Sequence, residues 1–296
     1  MARVVCAGHC TVDHIGVVPK FPPADRKEEL EAFSLQGGGP AATAAAALAR
    51  LGVAVRFVGR VSDDHFGVFA RDSLLEAGVD CTDLEVLTGH VSPMSFVAVE
   101  RSTGRRTIYW TRGDLPPLRE EDVDPKVLEG AELLLIDGHH VEAQLALALA
   151  ARQRGLEVLL DAGSLRDGME DLLKVSTLVV ASERFGAELA GSVDRAIRAI
   201  REMGPRVCVV TLGEDGAAGQ DDRHHEVVAA YEVDEVVDTT GAGDVYHGAF
   251  AYGVLQGWGL RRTMEFAGAA AALSCRALGG RAALPTREEI EALQSG

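Results

Sequence analysis

The sequence predicts an α/β fold: a mainly parallel sheet covered by helices on both faces, with a small β lid over one end. Three observations predict it. Short runs of Val, Ile and Leu recur along the 296 residues, helical stretches separate most of them, and glycine clusters fall where such runs end. In that architecture ligands bind outside the carboxyl ends of the strands, so the glycine clusters mark the candidate site.

Taken in order, strands are expected at 4–7, 53–58, 133–136, 158–160, 177–180 and 207–211, each apolar and too short for a helix of ordinary length. Helices are expected at 66–77, 141–154 and 192–203, and an alanine-rich one over 44–50, with Pro40 near its first position and Gly52 just past its end. The run 231–237 alternates enough to predict a strand, and 245–255 carries small and apolar residues at helical spacing. Two stretches break the alternation. Residues 15–35 are rich in proline and charge, and 94–100 pairs with 107–111 across Arg101-Ser102-Thr103-Gly104-Arg105 as a hairpin. These are expected to form the lid, with segments at about 15–35 and 91–113 of a single domain spanning 1–296.

Forty-seven per cent hydrophobic residues supply a sizeable core. No apolar run is long enough to cross a membrane, and the N-terminus enters a strand without a signal-peptide stretch, so a soluble cytoplasmic protein is expected. The five cysteines are scattered and partly within apolar strands, which suits free thiols. A formal charge of −16 speaks against a nucleic-acid partner but not against a single nucleotide, whose phosphates backbone N–H groups can hold.

The stretch most informative about chemistry is Asp238-Thr239-Thr240-Gly241-Ala242-Gly243-Asp244. Gly241, Ala242 and Gly243 fall at a helix start, where unpaired N–H groups and the helix dipole attract a phosphate or a developing oxyanion. Asp244, one step further in, suits a base that takes a proton from an attacking alcohol. Alone, the stretch is equally an ordinary helix start. Upstream, Gln36-Gly37-Gly38-Gly39-Pro40-Ala41-Ala42-Thr43 leads into another helix, its glycines permitting close approach of a ligand. There is no G-x-x-x-x-G-K-[ST], and none of Lys20, Lys27, Lys126 and Lys174 follows a glycine-rich turn, so a Walker-type phosphate loop is excluded.

Together these regions resemble the PfkB (ribokinase-like) carbohydrate kinases over nearly the whole chain. The likeness includes Asp13, Gly59-Arg60-Val61-Ser62-Asp63-Asp64, Val210-Thr211-Leu212-Gly213-Glu214-Asp215-Gly216 and Gly279-Gly280. Gly-Gly-Gly-Pro-Ala-Ala-Thr at 37–43, the run from Asp244 and Gly-Gly-Arg-Ala at 279–282 are most similar to the sulfofructose kinase branch. The resemblance implies a ribokinase-like three-layer αβα fold that transfers the γ-phosphoryl group of ATP, with Mg2+, to a primary hydroxyl. It implies Asp244 as base, Gly241, Ala242 and Gly243 as anion hole, and Asp13, Gly38 and Gly39 against the sugar. Thr211, Gly213 and Gly216 match the nucleotide-binding V-T-x-G-x-x-G. Asp238 and Thr240, with Gly279, match the oxygen ligands of an activating K+.

The sequence departs from the family in two places. Ser182-Glu183-Arg184-Phe185 replaces N-x-x-E, leaving Ser182 at the nucleotide and Glu183 and Asp238 as candidate metal carboxylates. Ala42 replaces the Asn of G-G-x-x-x-N, which speaks against ribose, and the likeness of 37–43 implies a ketohexose or sulfofructose-like acceptor, with a ribokinase or sugar-acid kinase of the same family as the alternative. Lys27 is the nearest candidate for an anionic end group, with Tyr109 and His139 beside the sugar. Only one of the adjacent His139 and His140 can face a ligand, and His247 reads as a packed or capping residue.

Exposed lid edges need covering, which predicts a homodimer through the lids, burying residues such as Phe96 and Ile108. A dehydrogenase would place G-x-G-x-x-A directly after the first strand, whereas Gly37 comes some thirty residues later. A silent sugar or nucleoside sensor on the same fold is the other alternative, and the intact Asp244 with its anion hole argues against it.

Overall fold

A computed structural model describes residues 3–102 and 105–296. The chain runs β1(Val4–Ala7), β2(Thr11–Val18), β3(Ala32–Gly38), α1(Pro40–Arg50), β4(Val55–Ser62), α2(His65–Glu76), β5(Leu84–Leu87), β6(Met94–Glu100) and β7(Arg106–Thr111). It continues through β8(Leu133–Ile136), α3(Val141–Gln153), β9(Glu157–Ala162), α4(Met169–Val175), β10(Leu178–Ser182), α5(Glu183–Ala190), α6(Val193–Glu202) and β11(Val207–Thr211). Last come β12(Ala217–Gln220), β13(His225–Val228), α7(Ala242–Leu255), α8(Leu260–Ser274) and α9(Arg287–Ser295).

The main sheet, among the described residues, has the order β13-β12-β11-β10-β9-β8-β1-β4-β5. It is parallel except at one edge, where β12 and β13 run antiparallel. Because side chains alternate along a strand, Val4 and Cys6 enter one core with α1, α7 and α8, while Val5 and Ala7 enter the other with α3, α4 and α6. Both faces of β1 are thereby buried, which is why its sequence is an unbroken apolar run.

The lid is a separate sheet in the order β3-β2-β6-β7. β2 runs antiparallel to β3 and parallel to β6, and β6 and β7 form the expected hairpin. Thr103 and Gly104 of its turn lie outside the described residues. The inner lid face packs Ile15, Val17, Val97 and Val99 against Ala32 and Leu278. The outer face leaves Phe33, Phe96 and Tyr109 exposed, while Ile108 and Trp110, opposite Val97 and Ser95, are exposed on the inner side of the edge strand β7.

Three sequence expectations need correction. Residues 231–237 form no strand: they cross the surface irregularly, with Val237 N–H donating to Cys275 O, because the sheet already ends at β13. β4 runs on to Ser62, since Gly59–Ser62 pair with Leu84–Leu87 of β5, a short strand that carries too little pattern to be predicted. The lid starts at Thr11 instead of at about residue 15, so Asp13 lies within a lid strand.

Candidate active site

The site forms where β1, β8 and β9 end beneath the lid. At its centre is the start of α7. Gly241 caps that helix at φ 75°, a left-handed conformation, and a Cβ there would stand 2.6 Å from the Cα of Gly280. The requirement for glycine thus comes from both the turn and the close approach of the 279–280 loop. A Cβ on Gly243 would meet nothing within 4 Å, so this face of the helix start is open to a ligand. The Ala242 N–H is held in a turn to Thr239 O at 3.3 Å, leaving the following N–H groups, which a first turn cannot bond internally, pointing outward.

Asp244 follows on the same turn. Burial pushes its carboxyl up to about 7, and the neighbouring Asp161 adds to the rise while His247 opposes it. Carboxylate oxygens of Asp161 and Asp244 and a ring nitrogen of His247 lie within 4.8 Å of one another.

Opposite, Asp13 accepts a 2.7 Å hydrogen bond from Ser95 Oγ of β6. A Cβ on Gly38 would fall 2.0 Å from the Asp13 carboxylate, so glycine there gives Asp13 its seat. Burial raises the pKa of Asp13, while Ser95 and Arg281 pull it back. Gly39 sits at φ 94° with the His9 carbonyl only 2.3 Å from where a Cβ would be, and Pro40 starts α1 directly after it.

Arg281 escaped notice in the sequence. It is half-buried and donates to Gly38 O (2.9 Å), Thr43 Oγ1 (3.2 Å) and Ser73 Oγ (3.3 Å). Its backbone N–H donates to Gln36 Oε1, and Gln36 Nε2 donates to Leu278 O, tying the upstream glycines to the 278–281 loop. Burial lowers its pKa, with Cys10, Asp13 and Asp244 pulling the other way. The only sequence signal was an arginine after two glycines.

Asp137 was missed as well. At the end of β8 it accepts from the backbone N–H of His9 (2.7 Å), His139 (3.0 Å) and Ala41 (3.3 Å) and from Gln144 Nε2 (2.8 Å). Burial alone would raise its pKa, but the His139 ring and these donors outweigh it and hold the carboxyl at about 2. The pair His139-His140 divides as expected: His140 Nδ1 accepts from Leu118 N–H, while the His139 ring stacks on His9 at 4.4 Å with Trp110 edge-on to both. Burial pushes both His139 and His140 down to about 4, so both rings are neutral at pH 7. Tyr109, next to Trp110, is 65% exposed.

Lys27 lies exposed in the loop between β2 and β3. The cations close to His139 are others. Arg112 stacks over Trp110 at 5.2 Å, and Arg166 acts electrostatically on Asp137, Asp161 and Arg112. Arg166 Nη1 is buried without a hydrogen-bond partner.

On the nucleotide side, Ser182 caps α5 by accepting from Phe185 N–H (3.0 Å) and donates to Gly163 O (2.9 Å). Glu183, next to it, is exposed, and Phe185 is fully buried, which accounts for an apolar residue where the family has an acid. Gly213 and Gly216 have φ 61° and 91° at the turn after β11, and Thr211 ends that strand. A Cβ on Gly216 would meet Val228 O at 2.0 Å, whereas Gly213 has nothing within 4 Å. Asp238 is 0% exposed, and its carboxylate accepts from Thr240 N–H, Thr240 Oγ1 and Gly279 N–H at 2.8–2.9 Å. It therefore ties two loops together. From the lid, Arg106 donates to Thr239 Oγ1.

A family model described as pfkB family carbohydrate kinase matches residues 1–287. The chain belongs to this family. It is a sugar kinase, a phosphotransferase with an alcohol acceptor. Over 299 residues this pfkB-family chain is 30% identical to the ATP-dependent ribose-1-phosphate kinase of Halopiger xanaduensis, covering 100% of this chain and 99% of that protein. Among solved structures it resembles a putative ribokinase from Agrobacterium tumefaciens (TM-score 0.93, 28% identity, 99% and 98% of the two chains). It shares the fold of a putative ribokinase II from E. coli solved with ATP and Mg2+ (TM-score 0.88, 23% identity, 100% and 99% of the two chains). No helix among the described residues is long and apolar enough to cross a membrane.

Proposed function

We propose that the enzyme transfers the γ-phosphoryl group of ATP to a primary hydroxyl of a sugar carrying an anionic group, such as a sulfofructose-like ketohexose or a sugar phosphate. The observation that carries this reading is the half-buried Asp244 beside the glycine-bounded start of α7, with Asp13 of the lid acting on it electrostatically. Asp13 accepts hydrogen bonds from sugar hydroxyls, with Gly38 and Gly39 bringing the backbone close, and His139 and Trp110 border the same space, whereas Tyr109, opposite Phe96, faces away from it. As the acceptor oxygen bonds to the γ-phosphorus, its proton moves to Asp244 and ADP leaves with the electron pair of the broken P–O bond. The N–H groups of Gly241 and Gly243 stabilise charge on the moving group, while that of Ala242 is held by Thr239 O.

The nucleotide lies over the turn after β11, where Gly213 leaves the backbone uncovered and Thr211 and Gly216 shape the turn. Mg2+ travels on the ATP phosphates and supplies charge neutralisation there. Glu183, an exposed carboxylate at the start of α5, is the residue we assign to that ion, while Ser182 holds the α5 turn. K+ is not part of the proposal: the buried Asp238 carboxylate accepts hydrogen bonds from Thr240 N–H, Thr240 Oγ1 and Gly279 N–H.

An anionic acceptor is favoured by Arg166, whose buried Nη1 has no partner, and by Arg112 close by. The 30%-identical relative is named for a phosphorylated sugar. One charge-assisted hydrogen bond contributes roughly 1.5 to 3 kcal/mol, or about ten- to a hundredfold in kcat/KM. The test measures ADP release with ATP and a panel of ribose, ribose-1-phosphate, fructose and sulfofructose, for the parent enzyme and for Lys27→Met and Arg166→Met. Loss confined to anionic sugars in one variant supports the reading and identifies the anion contact. Equal loss on charged and neutral sugars in both refutes it, and binding without turnover of any sugar points to a sensor.

We also propose a homodimer through the lids. It is supported by the exposed apolar residues Phe96 (39%) on the outer lid face and Ile108 (47%) on the edge strand β7, and by the open edge of β7.

A further inference from the structure

His247 sits three residues after Asp244 on α7, and both of its ring nitrogens face oxygen. Nδ1 lies 2.5 Å from Gly243 O, and Nε2 lies 3.1 Å from Val180 O and 3.3 Å from Asp161 Oδ1. A carbonyl can only accept, and a neutral imidazole has a single N–H. If Nδ1 carries it, the Nε2 lone pair points at two more oxygens unless a second proton lies there, either on the ring or on Asp161. Asp161 and His247 are each 4% exposed, so bulk water does not relieve the conflict. The same geometry rules out a metal here, because each ring nitrogen is already directed at a backbone carbonyl.

We propose that Asp161 and His247 share one proton beneath Asp244, and that this neutral pair sets the pH at which the base becomes available. Were the pair to lose that proton, two ionised carboxylates would stand within 4.8 Å of one another in a buried site. Burial and the nearby Asp137 push Asp161 up to about 8, which keeps a proton on the pair across the range in which Asp244 titrates. The other groups acting on these three are Asp13 from the lid, Asp137 from the end of β8, Arg166 from the loop after β9 and Arg281 from the loop after α8. His247 and Asp161 are thus positioning residues that act through Asp244, and the inference rests on Asp244 being the base.

The experiment combines pH profiles with ring nitrogen NMR. His247→Gln leaves Asp161 without its proton partner, so the acid limb of kcat/KM should move up by about one pH unit, about a tenfold loss at pH 6 that shrinks as the pH rises. Asp161→Asn mimics the protonated carboxyl and should leave the limb close to its parental position. In the Asp161→Asn background, His247→Gln should no longer shift it. A His247→Gln loss of the same factor at every pH, or shifts that add in the double variant, would overturn the proposal.

The second readout needs no turnover. In the unliganded parent, the 15N shifts of the His247 ring, assigned by their loss in His247→Gln, should hold from about pH 5 to 7 and change only as Asp161 titrates near 8. A ring titrating by itself near its ordinary value of about 6.5 overturns the shared proton whether or not the enzyme phosphorylates any sugar. If His247→Gln does not fold, Asp161→Asn collapses the ring shifts to those of a neutral imidazole, and unaltered shifts count against the pair.

Discussion

Replacing Asp244 with Asn keeps the size of the side chain and removes the proton acceptor. With the carboxyl titrating at about 7, the ionised fraction is about half at pH 7 and about a tenth at pH 6, so parental kcat/KM should rise about tenfold per pH unit below 7 and level off above it. The Asn variant should lose roughly 10² to 10⁴ in turnover, about 3 to 5 kcal/mol of transition-state stabilisation, and its residual rate should lack that acid limb. Stability should move the other way. A carboxyl whose folded pKa lies above its unfolded value contributes most favourably below about pH 4, and that contribution is lost as the pH rises through about 7. At pH 8 the parent carries an ionised, buried carboxylate that the variant lacks, so Asp244→Asn should melt no lower than the parent. The assays are ADP release from pH 5.5 to 9, nucleotide affinity and thermal melting at pH 8. Near-normal turnover, or an acid limb that survives the substitution, would refute the assignment of Asp244 as base.

Gly241→Ala forces a left-handed residue to carry a Cβ 2.6 Å from Gly280, costing about 1 to 3 kcal/mol; melting should drop and turnover should fall more than nucleotide affinity, and unchanged kinetics would remove the helix start from the mechanism. Asp137→Asn removes a carboxylate held at about 2, whose stabilisation is present above about pH 4 and lost as the pH falls through 2; the variant should therefore melt lower at neutral pH, with the gap closing in acid. Ile108→Asp places a charge on the exposed edge strand β7 of the lid, and sedimentation at micromolar concentration should show monomer where the parent shows dimer; a parent that is itself monomeric and fully active removes the lid interface.

The sequence determined the alternation of strands and helices, because each buried strand and each amphipathic helix declares itself by local periodicity. It also placed Asp244 at a glycine-bounded helix start, since cap, turn and acid are neighbours in the chain. Local pattern misled at 231–237, where alternation survives in a segment with no sheet edge left to pair with. Tertiary structure alone decided the rest. Asp137, Asp161, His247 and Arg281 come from separate elements, and what makes each informative is long-range: four donors converging on Asp137, two oxygens on Nε2 of His247, and a guanidinium buried against Gly38. Burial raises the carboxyls of Asp244 and Asp161 because desolvation penalises charge, and burial belongs to the packed sheet and helices, so no window of sequence around either residue could have set their protonation.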